Sequence, residues 1–89
     1  RVLVEAQVFV TGAGQAAGVV ARYSASGHYL AEVSGDGRVT LYRFLPSQGY
    51  VRLASAALPA TAGRLRLEAV GASLQVFFND RFVVGAGDG

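Results

Sequence analysis

An all-β fold, an antiparallel β-sandwich, is the class this sequence predicts. Apolar and polar residues alternate with period two through most of the chain, the pattern of strands with one buried face. Glycine, proline and Asn-Asp interrupt these runs every ~8–12 residues, as a set of hairpins requires. Beyond residue 33 every segment reads as hairpin, with no helical stretch to build a βα unit.

The elements follow in order. Residues 2–10 place Val2, Val4, Ala6, Val8 and Val10 on one face and Glu5 and Gln7 on the other. Thr11 to Gln15 is a Gly-rich turn. Residues 17–23 turn Ala17, Val19, Ala21 and Tyr23 inward and Arg22 outward, and Ser24 to Gly27 reverses the chain. Residues 28–34 bury Tyr29, Ala31 and Val33 opposite His28, Leu30 and Glu32. Gly35-Asp36-Gly37 suits a tight hairpin, since glycine supplies positive φ without a Cβ clash. Residues 38–44 bury Val39 and Leu41 and expose Thr40 and Tyr42. After the loop at Pro46 to Gly49, residues 50–57 set Val51 and Leu53 against Tyr50 and Arg52. A loop at Pro59 to Gly63 leads to residues 64–70, Arg-Leu-Arg-Leu-Glu-Ala-Val, the cleanest alternation in the chain. Residues 72–78 follow the Gly71 turn with Leu74, Val76 and Phe78 inward. Asn79-Asp80 turns again, Phe82 and Val84 lie on a last short strand, and Gly85 to Gly89 reads as a flexible tail.

The 89 residues make one small domain, or part of one. Chains of this size bury only ~60–65% of the surface they expose when unfolded. With no cysteine there is no disulfide staple, no thiolate nucleophile and no thiolate metal ligand. One histidine, His28, does not make a histidine metal site, and no cofactor is expected. Calcium needs several converging oxygens, more than Gly35-Asp36-Gly37 and the Asp88 tail supply. The net charge of +2 comes from eight arginines against six acids, and the arginines are scattered rather than clustered. That distribution argues against a nucleic-acid partner. No apolar run approaches the ~20 residues of a membrane-spanning helix. The absence of an initiator methionine suggests a fragment, a processed product or an engineered piece.

One motif points elsewhere. Thr11-Gly12-Ala13-Gly14-Gln15-Ala16-Ala17-Gly18 follows an apolar strand, and Glu32 lies 20 residues beyond Gly12. This matches the G-x-G-x-x-A form of the dinucleotide fingerprint, which binds phosphate at a helix N-terminus. A dinucleotide-binding fragment is therefore a third reading. Glu5 and Gln7 on the preceding strand oppose it, because parallel strands buried on both faces are nearly continuous in apolar residues. So does the poor helix potential of residues 15–26.

Gly18-Val19-Val20-Ala21-Arg22-Tyr23, His28-Tyr29-Leu30-Ala31-Glu32-Val33, Gly37-Arg38-Val39-Thr40-Leu41-Tyr42-Arg43, Leu53-Ala54-Ser55, Leu65 to Leu74 and Phe78-Asn79-Asp80-Arg81-Phe82 follow one another along the chain. With that order the chain resembles the concanavalin A-like jelly rolls of the laminin-G-like type, over residues 2–84. The resemblance implies two packed antiparallel sheets, with glycan or protein ligands bound on the concave sheet or its rim. It also implies a module of a secreted or surface bacterial protein. Domains of that family carry further strands beyond the position of Asp88, one of them beside the first strand.

Catalysis is not expected. Glycoside hydrolysis needs two facing carboxyl groups, but Asp36 and Asp80 sit in turns and Glu68 stands beside Arg64 and Arg66 as a charge partner. The polar face of residues 17–57 is the stronger signal. Alternation gathers Arg22, His28, Glu32, Thr40, Tyr42, Tyr50 and Arg52 there. Rings, guanidinium groups and hydroxyls on one sheet suit sugar recognition by stacking and bidentate hydrogen bonds. The same residue types also populate ordinary solvated sheet faces. The favoured function is a non-catalytic binding module with carbohydrate as ligand, and the alternative is a structural or self-assembly module. With no partner in view for residues 2–10, an open edge is expected. A second copy or a complementing strand would cover it, unless the tail from Val83 folds back over it.

Overall fold

The computed structural model describes residues 2–87. It contains eight strands and, among the described residues, no helix: β1 Val2–Phe9, β2 Ala16–Ser24, β3 Gly27–Ser34, β4 Arg38–Leu45, β5 Gly49–Ala57, β6 Ala62–Val70, β7 Ser73–Phe78 and β8 Arg81–Gly87. They form two four-stranded antiparallel sheets, ordered β2-β3-β4-β5 and β1-β6-β7-β8. The first sheet is an uninterrupted meander. The second is the β6-β7-β8 meander with β1 added beside β6, in register from Val2 opposite Ala69 to Phe9 opposite Ala62. Among the described residues the chain therefore crosses between sheets twice, at residues 10–15 and 58–61.

The sheets pack through their apolar faces. Ala31, Val33, Val39 and Leu41 of one meet Leu65, Leu67, Ala69 and Val76 of the other in the core cluster, all fully buried. Among the described residues no buried one is polar or charged. Burying a polar group without a partner is costly, and the alternation avoids that cost.

Local chemistry fixes the turns. Asn79 and Asp80 both hold positive φ, 52° and 67°, the backbone that a two-residue hairpin loop with strand-compatible twist requires. The Asn79 side chain accepts the Arg64 backbone N–H at 2.8 Å. Gly35 lies against the 11–15 turn, where a Cβ would fall 1.7 Å from the Gly12 carbonyl oxygen. The Gly35 N–H donates to the Gln15 carbonyl at 2.9 Å. The glycines of the fingerprint-like segment thus serve a turn, and a strand rather than a helix follows it.

Three expectations need correction. Tyr23 does not point inward but is 79% exposed. The register shifts between Ala21 and Ser24, and Arg22 adopts φ 54° there. Such a bulge adds a residue and reverses the alternation after it. Gly85 to Gly87 are not tail but the end of β8, paired to β7 with Gly85 opposite Gln75 and Gly87 opposite Ser73; Asp88 and Gly89 lie outside the described residues. Finally, β1 is paired along its whole length with β6, so only its other edge lies outside the ladder. The segment from Val83 pairs with β7 and not with β1.

Candidate functional site

The outward face of β2-β3-β4-β5 gathers five rings. Cross-strand register places His28 opposite Phe44 and Phe44 opposite Tyr50, one ring on each of three adjacent strands. Strands spaced ~4.8 Å apart bring such side chains into contact. Tyr23 stacks on His28 at 5.2 Å between centroids, and His28 stacks on Phe44 at 4.8 Å. Tyr50 tilts against Phe44 at 4.9 Å and meets His28 edge-on at 5.7 Å. Tyr42 joins through an edge contact with Tyr50 at 5.7 Å. The His28 Nε2 and Tyr50 hydroxyl are hydrogen-bonded at 3.1 Å. Tyr23 and Tyr50 are the most solvent-exposed, at 79% and 52%.

Phe44 and Tyr23 were not expected on this face. Phe44 was legible, because the alternation that exposes Thr40 and Tyr42 continues to it. Tyr23 was hidden by the bulge at Arg22, which no residue type in the segment announces.

The expected site residues divide. His28, Tyr42 and Tyr50 are in the ring cluster. Arg52 stands opposite Tyr42 on the same face and is exposed. Glu32 and Thr40 face each other one row along, and the Thr40 and Ser55 hydroxyls lie 3.4 Å apart. Arg22 leaves the group. Its guanidinium donates to the Gly71 carbonyl at 2.7 Å, reaching the β6–β7 turn of the opposite sheet. There it borders a cleft of about 200 Å³ at the end of the sandwich, lined also by Ser24, Ser26, His28, Arg43 and Phe44. A groove of about 500 Å³ between the end of β5 and β8, lined by Leu58, Pro59, Phe78 and Arg81 among others, shares no residue with the rings.

The outward face of the other sheet is organised around charge. Arg64 pairs with Glu5 and Asp80, and Arg66 with Glu5, Glu68 and Asp80. Glu68 is thus the same-strand partner of Arg66, at 3.0 Å. The Arg66 guanidinium also covers the Phe77 ring at 4.3 Å, and Phe77 meets Phe82 edge-on. The hydrogen bond and charge of Asp80 push the Arg64 pKa upward, so Arg64 stays protonated throughout the accessible pH range. This network leaves its members occupied with one another.

Among the described residues no three His, Cys, Asp or Glu side chains converge as a metal site would require. Glu32 is the one carboxylate on the strands of the ring-bearing face among those residues.

No family model and no curated protein sequence matches the chain. Its fold is similar to that of a solved structure, the carbohydrate binding module CBM66 from Bacillus subtilis, with a TM-score of 0.82 and 21% sequence identity over 97% of this chain. The match covers 58% of that module's own chain. At that identity the likeness establishes an all-β sandwich of two antiparallel sheets of the kind such modules use.

Proposed function

We propose that this chain is a non-catalytic carbohydrate-binding module whose ligand lies across the outward face of β2-β3-β4-β5. The contiguous ring cluster carries this reading. Isolated exposed rings are ordinary, but five linked by ring-to-ring contacts into one cluster on an exposed sheet face form an apolar platform. Sugar C–H faces stack on such rings, and hydroxyls beside them fix orientation. The rings that stack on one another offer solvent mainly their edges. Tyr23, at the end of the stack, and Tyr50 are the rings a sugar meets first. Similarity to a carbohydrate-binding fold supports the same reading, and a single carboxylate on the face suits binding better than hydrolysis.

In this reading the chain is part of a concanavalin A-like, laminin-G-like jelly roll in a secreted or surface bacterial protein. The free edge of β1, with Leu3 and Phe9 exposed beside it, is where a second copy or a complementing strand would pair.

Titration calorimetry against a panel of soluble polysaccharides tests the function. Saturable binding to at least one is expected, weakened at least tenfold by Tyr50→Ala or Tyr23→Ala with the melting temperature nearly unchanged. The absence of binding at millimolar sugar would remove the carbohydrate reading and leave the structural one.

A further inference from the structure

The net charge of the protein is not spread evenly over its two sheets. The β1-β6-β7-β8 sheet and its turns hold Arg64, Arg66 and Arg81 against Glu5, Glu68 and Asp80, a formal balance of zero. The β2-β3-β4-β5 sheet and its turns hold Arg22, Arg38, Arg43 and Arg52 against Glu32 and Asp36. Arg1 and Asp88 cancel formally, so the +2 of the chain resides on the sheet that bears the rings.

The two sheets also differ in what their arginines do. Arg64 and Arg66 are held in ion pairs. Arg38 bonds only the Ser55 hydroxyl, Arg22 only the Gly71 carbonyl, and neither is in an ion pair among the described residues. Arg52 is exposed beside the rings, and its side chain makes no hydrogen bond or ion pair among those residues. The end cleft adds the Ser24 and Ser26 hydroxyls and the half-buried Arg43 beside His28 and Phe44, with no acid in its lining.

We propose that the platform selects glycans carrying negative groups, uronate carboxylates or sulfates, which Arg52 and the arginines of the end cleft receive while the sugar rings stack on Tyr23 and Tyr50. This rests on the carbohydrate-binding reading above. Planar guanidinium groups match both anions with paired N–H donors, and such charge-assisted bonds are stronger than those to neutral hydroxyls. A neutral sugar uses the platform and leaves Arg52 to water.

The test compares matched oligomers on the intact chain: galacturonate against its carboxyl-reduced form, and sulfated galactan against its desulfated form. At low ionic strength one charged oligomer should bind about tenfold or more tightly than its neutral twin. That ratio should shrink as sodium chloride is raised. The pair that shows it tells carboxylate from sulfate. Arg52→Gln should lower the ratio severalfold, whereas Arg81→Gln, the same charge change on the opposite sheet, should leave it intact. Neutral twins that bind as well as or better than the charged oligomers would overturn the charge selection and leave the carbohydrate-binding reading standing. So would equal effects of the two arginine changes. Binding of none of the four would overturn both. Tighter binding of a single-stranded oligonucleotide than of either charged glycan would replace the proposal with a nucleic-acid partner.

Discussion

Leu67→Ala is the sharpest test of the alternation from which the strands were read. Leu67 is 0% exposed, opposite Val4 on one side and Val76 on the other. The change removes three carbons, about 2.4 kcal/mol at ~0.8 kcal/mol per buried CH₂. The cavity left between two sheets adds to this, giving about 3–5 kcal/mol in all. A domain of 89 residues has a total stability of about 4–13 kcal/mol, so the variant should be severely weakened or unfolded. The neighbouring Arg66 points to the other face and is the proper control. It is not an idle surface residue: its side chain is 21% exposed, with Glu5, Glu68 and Asp80 around it and Phe77 beneath. Arg66→Ala should therefore cost about 1–2 kcal/mol, more than an ordinary solvated arginine. Urea unfolding followed by far-ultraviolet circular dichroism measures both. A loss at Leu67 no larger than that at Arg66 would put the register of β6 off by one residue and turn the charged residues of that strand, rather than Leu65, Leu67 and Ala69, toward the core.

Other consequences can be checked on the same material. Gly35→Ala forces a Cβ onto the Gly12 carbonyl and should cost about 1–3 kcal/mol in the same urea titration. Arg22→Ala removes the bond to Gly71 and leaves a residue with a Cβ in the left-handed region. It should lower the melting temperature by several degrees, with Arg22→Gly recovering part of the loss. Asp80→Asn removes an exposed ion-pair partner of Arg64 and should barely move the melting temperature, with the difference vanishing in high salt. Tyr42→Ala should weaken sugar binding less than Tyr50→Ala, because Tyr42 touches the cluster through one ring and Tyr50 through three.

The strands were legible because each has one dry face. Leu65, Leu67 and Ala69, or Val39 and Leu41, can alternate with polar residues only in that setting. The aromatic face was partly legible for the same reason: His28, Tyr42, Tyr50 and Arg52 were placed by counting in twos. Counting fails at a bulge. The extra residue at Arg22 reversed Tyr23, and the one near Leu53 brought Ser55 beside Thr40. A bulge depends on how two strands twist together and has no residue signature of its own here. The destination of Arg22 was equally hidden, since its acceptor lies 49 residues away in the sequence on the other sheet. The pairing of β1 with β6 is a long-range fact of the same kind: alternation identifies a strand but does not name its neighbour.

That long-range pairing has a consequence for how the molecule assembles in time. Seven of the eight described strands are joined to their neighbours by turns of a few residues, in two meanders that can zip locally. β1 has no such neighbour: every residue of it pairs with one more than fifty positions later. Closing so long a loop costs entropy before any contact compensates for it. β1 should therefore dock late on the folding pathway, with little of its stability expressed in the transition state. During synthesis it leaves the ribosome before β6, β7 and β8 and waits for them, and substitutions such as Val4→Ala should speed unfolding far more than they slow folding.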